Sequence, residues 1–301
     1  MKNFGFPFAT SLICTTLTVV EDRLHSGVSN EKLWFSLCHV AHLHYLCSVK
    51  LIIDIGNTVA KLVAFDGQEP LEEVKTDDDT LDAMHDFVSH YTFQRGIVST
   101  VRDLRSAART QLEKLDYPML IITPETPVPI KNRYRTPQTL GADRLAAVVG
   151  ASTLQPRRDL LIIDAGTCIT YDVIDAHGNY WGGNIAPGMH MRLNALHEHT
   201  ARLPLVSAEG VVPGMGYDTE TAIRSGVLRG MKYEIEGYIR SMRRKYPELV
   251  IFLTGGDKIN FDARVKNIIL ADEYIVPRGL NRILDYNESN EGDDLGLGNR
   301  E

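Results

Sequence analysis

Residues 51–58 read LIIDIGNT and residues 161–167 read LIIDAGT. Each is a short Leu/Ile run entering Asp-x-Gly and then Thr, and each is followed by a second strand-like run, KLVAFDG at 61–67 and TYDVIDAHGN at 170–179. An apolar strand, a tight Gly-containing turn and a returning strand make a β-hairpin. The recurrence of the unit implies two related halves. Further strands are expected at 96–99, 119–122 and 250–254, with helical patterns at about 77–91, 101–115, 141–154 and 218–245. Strands alternating with helices indicate layered α/β architecture. The boundary is expected in the polar, Pro-containing stretch Gln155–Asp159, giving a first half at 50–157 and a second at 158–286. The acidic, Gly-rich segment 287–301 is expected to be a disordered tail.

A Gly after a buried strand lets the backbone turn sharply and approach a ligand closely. The amides freed by such a turn can point at phosphate oxygens. Thr58 and Thr167 add hydroxyl donors, and Asp54 and Asp164 stand where a sheet delivers them to a cleft. A carboxylate repels a phosphate unless a cation lies between them. Two such turns facing each other therefore suggest a nucleotide polyphosphate with a bound metal, and Lys61 could reach a phosphate as a point charge. The alternative is a bare structural repeat, since Asp and Gly favour turns on their own account.

The charge balance bears on partners. Lys and Arg number 32 against 39 Asp and Glu, a net charge of −7. No broad basic field is available to hold nucleic acid or an anionic membrane. Anion binding must be local. No apolar run reaches the roughly 18 residues of a membrane-spanning helix. The cysteines are Cys14, Cys38, Cys47 and Cys168. With one cysteine beyond position 47 there is no disulfide framework, and the body reads as cytoplasmic. Residues 1–49 stand apart. Segment 4–20 has a faint signal-peptide character, and Cys38, His39, His42, His44 and Cys47 are metal-ligand types without paired spacing. The reading adopted is an extension outside the working fold.

Three other segments carry chemistry. In YRTPQTLGADR at 134–144, Pro137 disfavours helix before it, and the helical pattern begins at the GADR that follows. Asp143 can serve the helix dipole, but a cation such as Arg144 is unfavourable in a first helical turn. At a cleft mouth the Asp could instead accept a proton from a hydroxyl, and the Arg could grip a carboxylate or phosphate bidentately. Residues 181–188 (WGGNIAPG) are expected as a strand and loop against the cleft. In LTGGD at 253–257, Gly255 and Gly256 would let backbone approach an adenine or ribose, or simply end a strand. The helix starting near Thr219 carries Ala222, Gly226 and Gly230 at four-residue intervals, a face suited to close packing within the fold or between subunits.

Taken together, DIGNTVAK at 54–61, LGADR at 140–144, Tyr134 upstream of it, DAGT at 164–167, GGNIAPG at 182–188 and GYDTETAIRSG at 216–226 resemble type III pantothenate kinase. That family lies in the acetate and sugar kinase, chaperone and actin superfamily. The resemblance covers residues 50–286. It implies two duplicated ribonuclease-H-like (actin-like ATPase) domains with a nucleotide cleft between them. It implies ATP-dependent phosphorylation of pantothenate to 4′-phosphopantothenate, the first step of coenzyme A biosynthesis, with Asp143 as general base. It also implies ATP contacts from Asp54, Ile55, Gly56, Asn57, Thr58, Val59, Ala60, Lys61 and Thr167, and pantothenate contacts from Tyr134, Gly141, Ala142, Asp143 and Arg144. Asp164 would hold a monovalent cation, K+ or NH4+, beside Mg2+ with the ATP. Thr219 would reach the pantothenate of a neighbouring subunit in a homodimer. Another small-molecule kinase of the superfamily, or a non-catalytic ATP-binding regulator, is the alternative.

Overall fold

The computed structural model describes residues 49–76, 81, 83–104, 106–257, 259, 261 and 269–296. The signal-like segment 4–20, the Cys38–Cys47 cluster and residues 77–80 of the first expected helix lie outside the described residues.

Two sheets organise the chain. The first contains β1 (Val49–Ile55), β2 (Ala60–Asp66), β3 (Glu69–Thr76), β4 (Phe93–Thr100) and β5 (Met119–Ile121), in the order β3-β2-β1-β4-β5. Helices α1 (Ala83–Ser89) and α2 (Ser106–Glu113) belong to this half. The second contains β6 (Lys131–Asn132), β7 (Leu160–Ala165), β8 (Cys168–Ile174), β9 (Asn179–Pro187), β10 (Val250–Thr254) and β11 (Ile269–Ala271), in the order β11-β10-β7-β8-β9-β6. In each, three strands (β1–β3, β7–β9) form an antiparallel meander, and two more (β4 and β5, β10 and β11) extend the sheet in parallel beside its first member. The two sheets thus repeat one topology, the ribonuclease-H-like one, with β6 added at an edge of the second.

Both faces of β1 and β7 are covered, which explains their continuous apolar runs. On β1, Leu51, Ile53 and Ile55 face an outer core with Met84, Phe87, Ala108 and Leu112 of α1 and α2. Ile52 points the other way. On β7, Leu161 and Ile163 face a second outer core under α4 (Met189–Glu198) and α5 (Thr219–Lys245), through Leu193, Ile223, Val227 and Met231, while Ile162 points inward. The inward residues of both sheets share a third core with α3 (Ala142–Leu154) and α6 (Ile275–Gly296). Helix α3 packs on β7 and β8, and α6 on β1 and β4, so the last helix serves the first sheet.

Helix α6 departs from the sequence expectation. Positions 287–296, expected as disordered tail, are its last turns. Asn287 on it donates through Nδ2 to the Ile283 carbonyl (2.8 Å) and the Pro127 carbonyl (2.9 Å). Pro277 is tolerated because it falls in the first turn, where no intrahelical N–H bond is owed. No described helix is long and apolar enough to cross a membrane.

Candidate active site

The period of two that sorts the cores also aims the polar side chains. Asp54 shares the inner face of β1 with Ile52, and Lys61 that of β2 with Val63 and Phe65. Asp164 follows Ile162 on β7, and Asp172 precedes Ile174 on β8. One acid from the first repeat's inner face and two from the second's, with one lysine, therefore converge where the strands end and α3 begins.

The two Asp-x-Gly turns face each other, with Thr58 Oγ1 3.2 Å from Thr167 Oγ1. In the first, the Gly56 N–H donates to the Val59 carbonyl (3.0 Å), enclosing Asn57 and Thr58. The second is one residue shorter, with the Gly166 N–H donating to the Cys168 carbonyl (2.9 Å). The shortening changes the register: Lys61 lies opposite Asp54, but Thr170 lies opposite Asp164. One lysine thus faces two carboxylates. Two glycines brace the second turn. A Cβ on Gly255 would lie 2.2 Å from the Ala165 carbonyl oxygen, and one on Gly188 2.0 Å from that of Gly166. The close approach expected at Gly255 is made to this turn's backbone, whereas a Cβ on Gly256 would meet open space.

Burial is the main cause that pushes Asp54 up to about 7 and Asp164 up to about 6. Lys61 opposes both shifts and Asp143 adds to both; Asp164 also raises Asp54 while Ser99 lowers it, and Asp172 and Asp257 raise Asp164. Asp54 Oδ1 is buried without a hydrogen-bond partner. An orphaned carboxylate oxygen among crowded acids fits a hard cation, which takes oxygen ligands. Among the described residues no three His, Cys, Asp or Glu side chains form a ready cage.

A pH prediction follows from the direction of these shifts. Between its ordinary 3.8 and about 7, folded Asp54 holds a proton that the unfolded chain has released. Its contribution to stability therefore declines as pH rises through that window. Asp54→Asn has no such penalty. The melting temperature of the variant minus that of the ligand-free wild type is expected to grow from pH 5 to pH 8. A difference independent of pH would contradict the raised Asp54.

The 134–144 segment arrives at the same place. A single 3-10 turn, Pro137–Thr139, precedes Gly141, the N-cap of α3. Asp143 lies in the helix's first turn, its Oδ1 accepting the Arg144 N–H at 2.8 Å. Burial raises its pKa, the Arg144 N–H and guanidinium lower it, and Asp172 raises it. Arg144 is 6% exposed and its fork is already filled: Nε donates to Asp172 Oδ2 (3.1 Å) and Nη2 to Asp172 Oδ1 (2.5 Å). The bidentate grip expected on a ligand is thus made to a buried acid. Tyr134 lies beneath, its ring centroid 5.6 Å from Arg144 Cζ. Asp172 and Tyr180, which sequence reasoning missed, complete the cluster. Thr219 stands apart, exposed on the first turn of α5, and among the described residues no hydrogen bond joins it to segment 134–144.

A family model described as type III pantothenate kinase matches residues 50–241. A relative of that name from Phocaeicola vulgatus is 54% identical over 240 residues, covering 80% of this chain and 99% of its own. One from Bacteroides fragilis is 54% identical over 239 residues, covering 79% and 98%. A solved structure described as a Baf family transcriptional activator from Campylobacter jejuni gives a TM-score of 0.52 at 22% identity, covering 79% of this chain and 99% of its own, a likeness of fold. The matched motifs, the repeated sheets and the paired turns lead to one conclusion: the chain belongs to the type III pantothenate kinase family.

Proposed function

We propose that the protein transfers the γ-phosphoryl group of ATP to the primary hydroxyl of pantothenate, giving 4′-phosphopantothenate for coenzyme A synthesis. ATP occupies the cleft between the two halves, 50–157 and 158–286, with its phosphates on the turns at 54–61 and Thr167. The observation that carries this is the meeting of Thr58 with Thr167, with Asp143 electrostatically coupled to both Asp54 and Asp164. Phosphoryl transfer asks a protein chiefly for positioning and charge neutralisation. Backbone amides of the turns and Lys61 supply positive potential to the phosphates. Mg2+ would be held near Asp54 and a monovalent cation, K+ or NH4+, at Asp164, neutralising charge on the transferring group. Asp143 accepts the proton of the attacking hydroxyl. Gly141 and Ala142 offer backbone beside it, Tyr134 forms a wall, and Arg144 lends its fixed positive charge.

Thr219 is proposed to act in trans, in a homodimer. The exposed side chains around it support a packing face: Met215 is 86% and Tyr217 73% exposed, and Ala222 and Gly226 on α5 are exposed too. Thr219→Val is expected to raise KM for pantothenate more than KM for ATP. Equal effects on the two would argue against that contact.

The deciding assay is ADP formation with and without pantothenate, in K+ and in Na+. Pantothenate-dependent ADP release, greater in K+, is the expected result. ADP release indifferent to pantothenate would reject the substrate, and equal rates in the two salts would reject the cation.

A further inference from the structure

One buried carboxylate fastens the acceptor segment at both ends. Asp172 is 1% exposed and accepts from Arg144 twice and from the Tyr180 hydroxyl at 2.7 Å. Tyr180 is fully buried, and its ring stacks on that of Tyr134, with centroids 6.3 Å apart and planes 9° from parallel. Arg144 in turn lies over Tyr134. Through these contacts Asp172 holds the end of segment 134–144 directly and its beginning through the two stacked rings.

Stability alone is a poor account of this arrangement. Apolar side chains of the same shape often fill such a space as well as a buried ion pair does. A cation in the first turn of a helix is also opposed by the helix dipole. Placement supplies a better account. β8 begins at Cys168, directly after Thr167 of the second turn, and Asp172 lies on it. The pair therefore ties the strand leaving a phosphate turn to the helical turn that carries Asp143.

We infer that Asp172 is a positioning residue for phosphoryl transfer: by gripping the Arg144 fork and the Tyr180 hydroxyl it fixes the first turn of α3, so that Asp143 and the Tyr134 ring keep their places at the acceptor site. The inference rests on the proposed role of Asp143 as base. A misplacement of about 1 Å in a reacting geometry can cost on the order of 10²-fold in rate. That is the scale on which Asp172 should matter.

The test is steady-state kinetics on full-length Asp172→Asn, Tyr180→Phe and Asp143→Asn, each with a melting curve on the same sample. Asp172→Asn is expected to lower kcat by about 10- to 100-fold and to raise KM for pantothenate, leaving KM for ATP unchanged. Tyr180→Phe removes one donor, keeps the stacked ring and should move the same constants in the same direction by less. It decides the matter if Asp172→Asn does not fold. Wild-type kcat and pantothenate KM in the folded variants would overturn the inference, as would parallel rises in both Michaelis constants. Asp143→Asn separates the two readings. A collapsed rate there, with wild-type kinetics in the other two, overturns the positioning role alone. A wild-type rate in Asp143→Asn overturns the base assignment beneath it.

Discussion

Asp143→Asn is expected to lower kcat by about 10²–10⁴-fold, the usual contribution of a positioned base. The attacking hydroxyl is a weak nucleophile and must lose its proton as the phosphoryl group arrives. A carboxylate can take that proton; a carboxamide of the same shape cannot. Folding should hardly register the change. The Arg144 N–H that Asp143 Oδ1 now accepts can be accepted equally by an asparagine oxygen. Burial, which raises the Asp143 pKa, is less costly for a neutral amide. A normal melting curve with a collapsed rate supports the base. A normal rate leaves Asp143 as a helix-start residue only. Because both observables come from one sample, a folding defect cannot imitate the catalytic one.

Gly279→Ala should be among the most damaging single-methyl changes at the described glycines. Helices α3 and α6 cross with backbone against backbone. A Cβ on Gly279 would lie 1.8 Å from the Ala146 carbonyl oxygen, and one on Gly150 2.1 Å from that of Ile275. Neither obstacle is a flexible side chain, so the helices must part. Parting them loosens the core that both sheets share. Overpacking of this kind costs about 1–3 kcal/mol and occasionally more. For a fold of this size each kcal/mol lowers Tm by roughly 2–4 °C, so a drop of about 2–12 °C is expected. The same substitution at Gly237, within α5, should go the other way. A Cβ there meets nothing within 4 Å, and alanine is the better helix former by about 1 kcal/mol. Thermal melting of the two variants beside wild type checks the opposite signs. Equal shifts would mean that the crossing is not tight.

The repeat was legible because its information is local. An apolar run followed by Asp-x-Gly specifies a strand and its turn within eight residues, and the sheets were built as that pattern implied. Helix α6 was hidden for the opposite reason. Pro277 and Gly279 near its start and Gly292, Asp293 and Asp294 near its end are each poor helix signals, and its apolar residues, Ile275, Val276, Leu280, Ile283 and Leu284, have meaning only against a sheet formed more than 200 positions earlier. Asp172 was hidden too. In TYDVI it looks like the solvent-facing position of an alternating strand. The one trace it left in the sequence was Arg144, a cation set against the helix dipole with no local partner. That anomaly was visible; which acid resolved it depended on the fold.

The last helix also dictates when the first sheet can be finished. Asn281 donates to the Gly67 carbonyl (2.8 Å) and Arg278 to that of Gln68 (2.8 Å), both at the β2–β3 turn, and Lys50 pairs with Asp285. As the polypeptide leaves the ribosome, β1 through β5 emerge early, but the inner face of Ile52, Val63, Phe65 and Ile97 has only α3 to cover it until α6 follows. Domains ordinarily fold as units during synthesis, N-terminal first. Here the amino-terminal repeat waits, its apolar face incompletely covered, until Ile275–Gly296 has been made, more than 200 residues after β1. That interval is when chaperone holding would matter most, and a nascent chain halted before Ile275 is the species that should bind one.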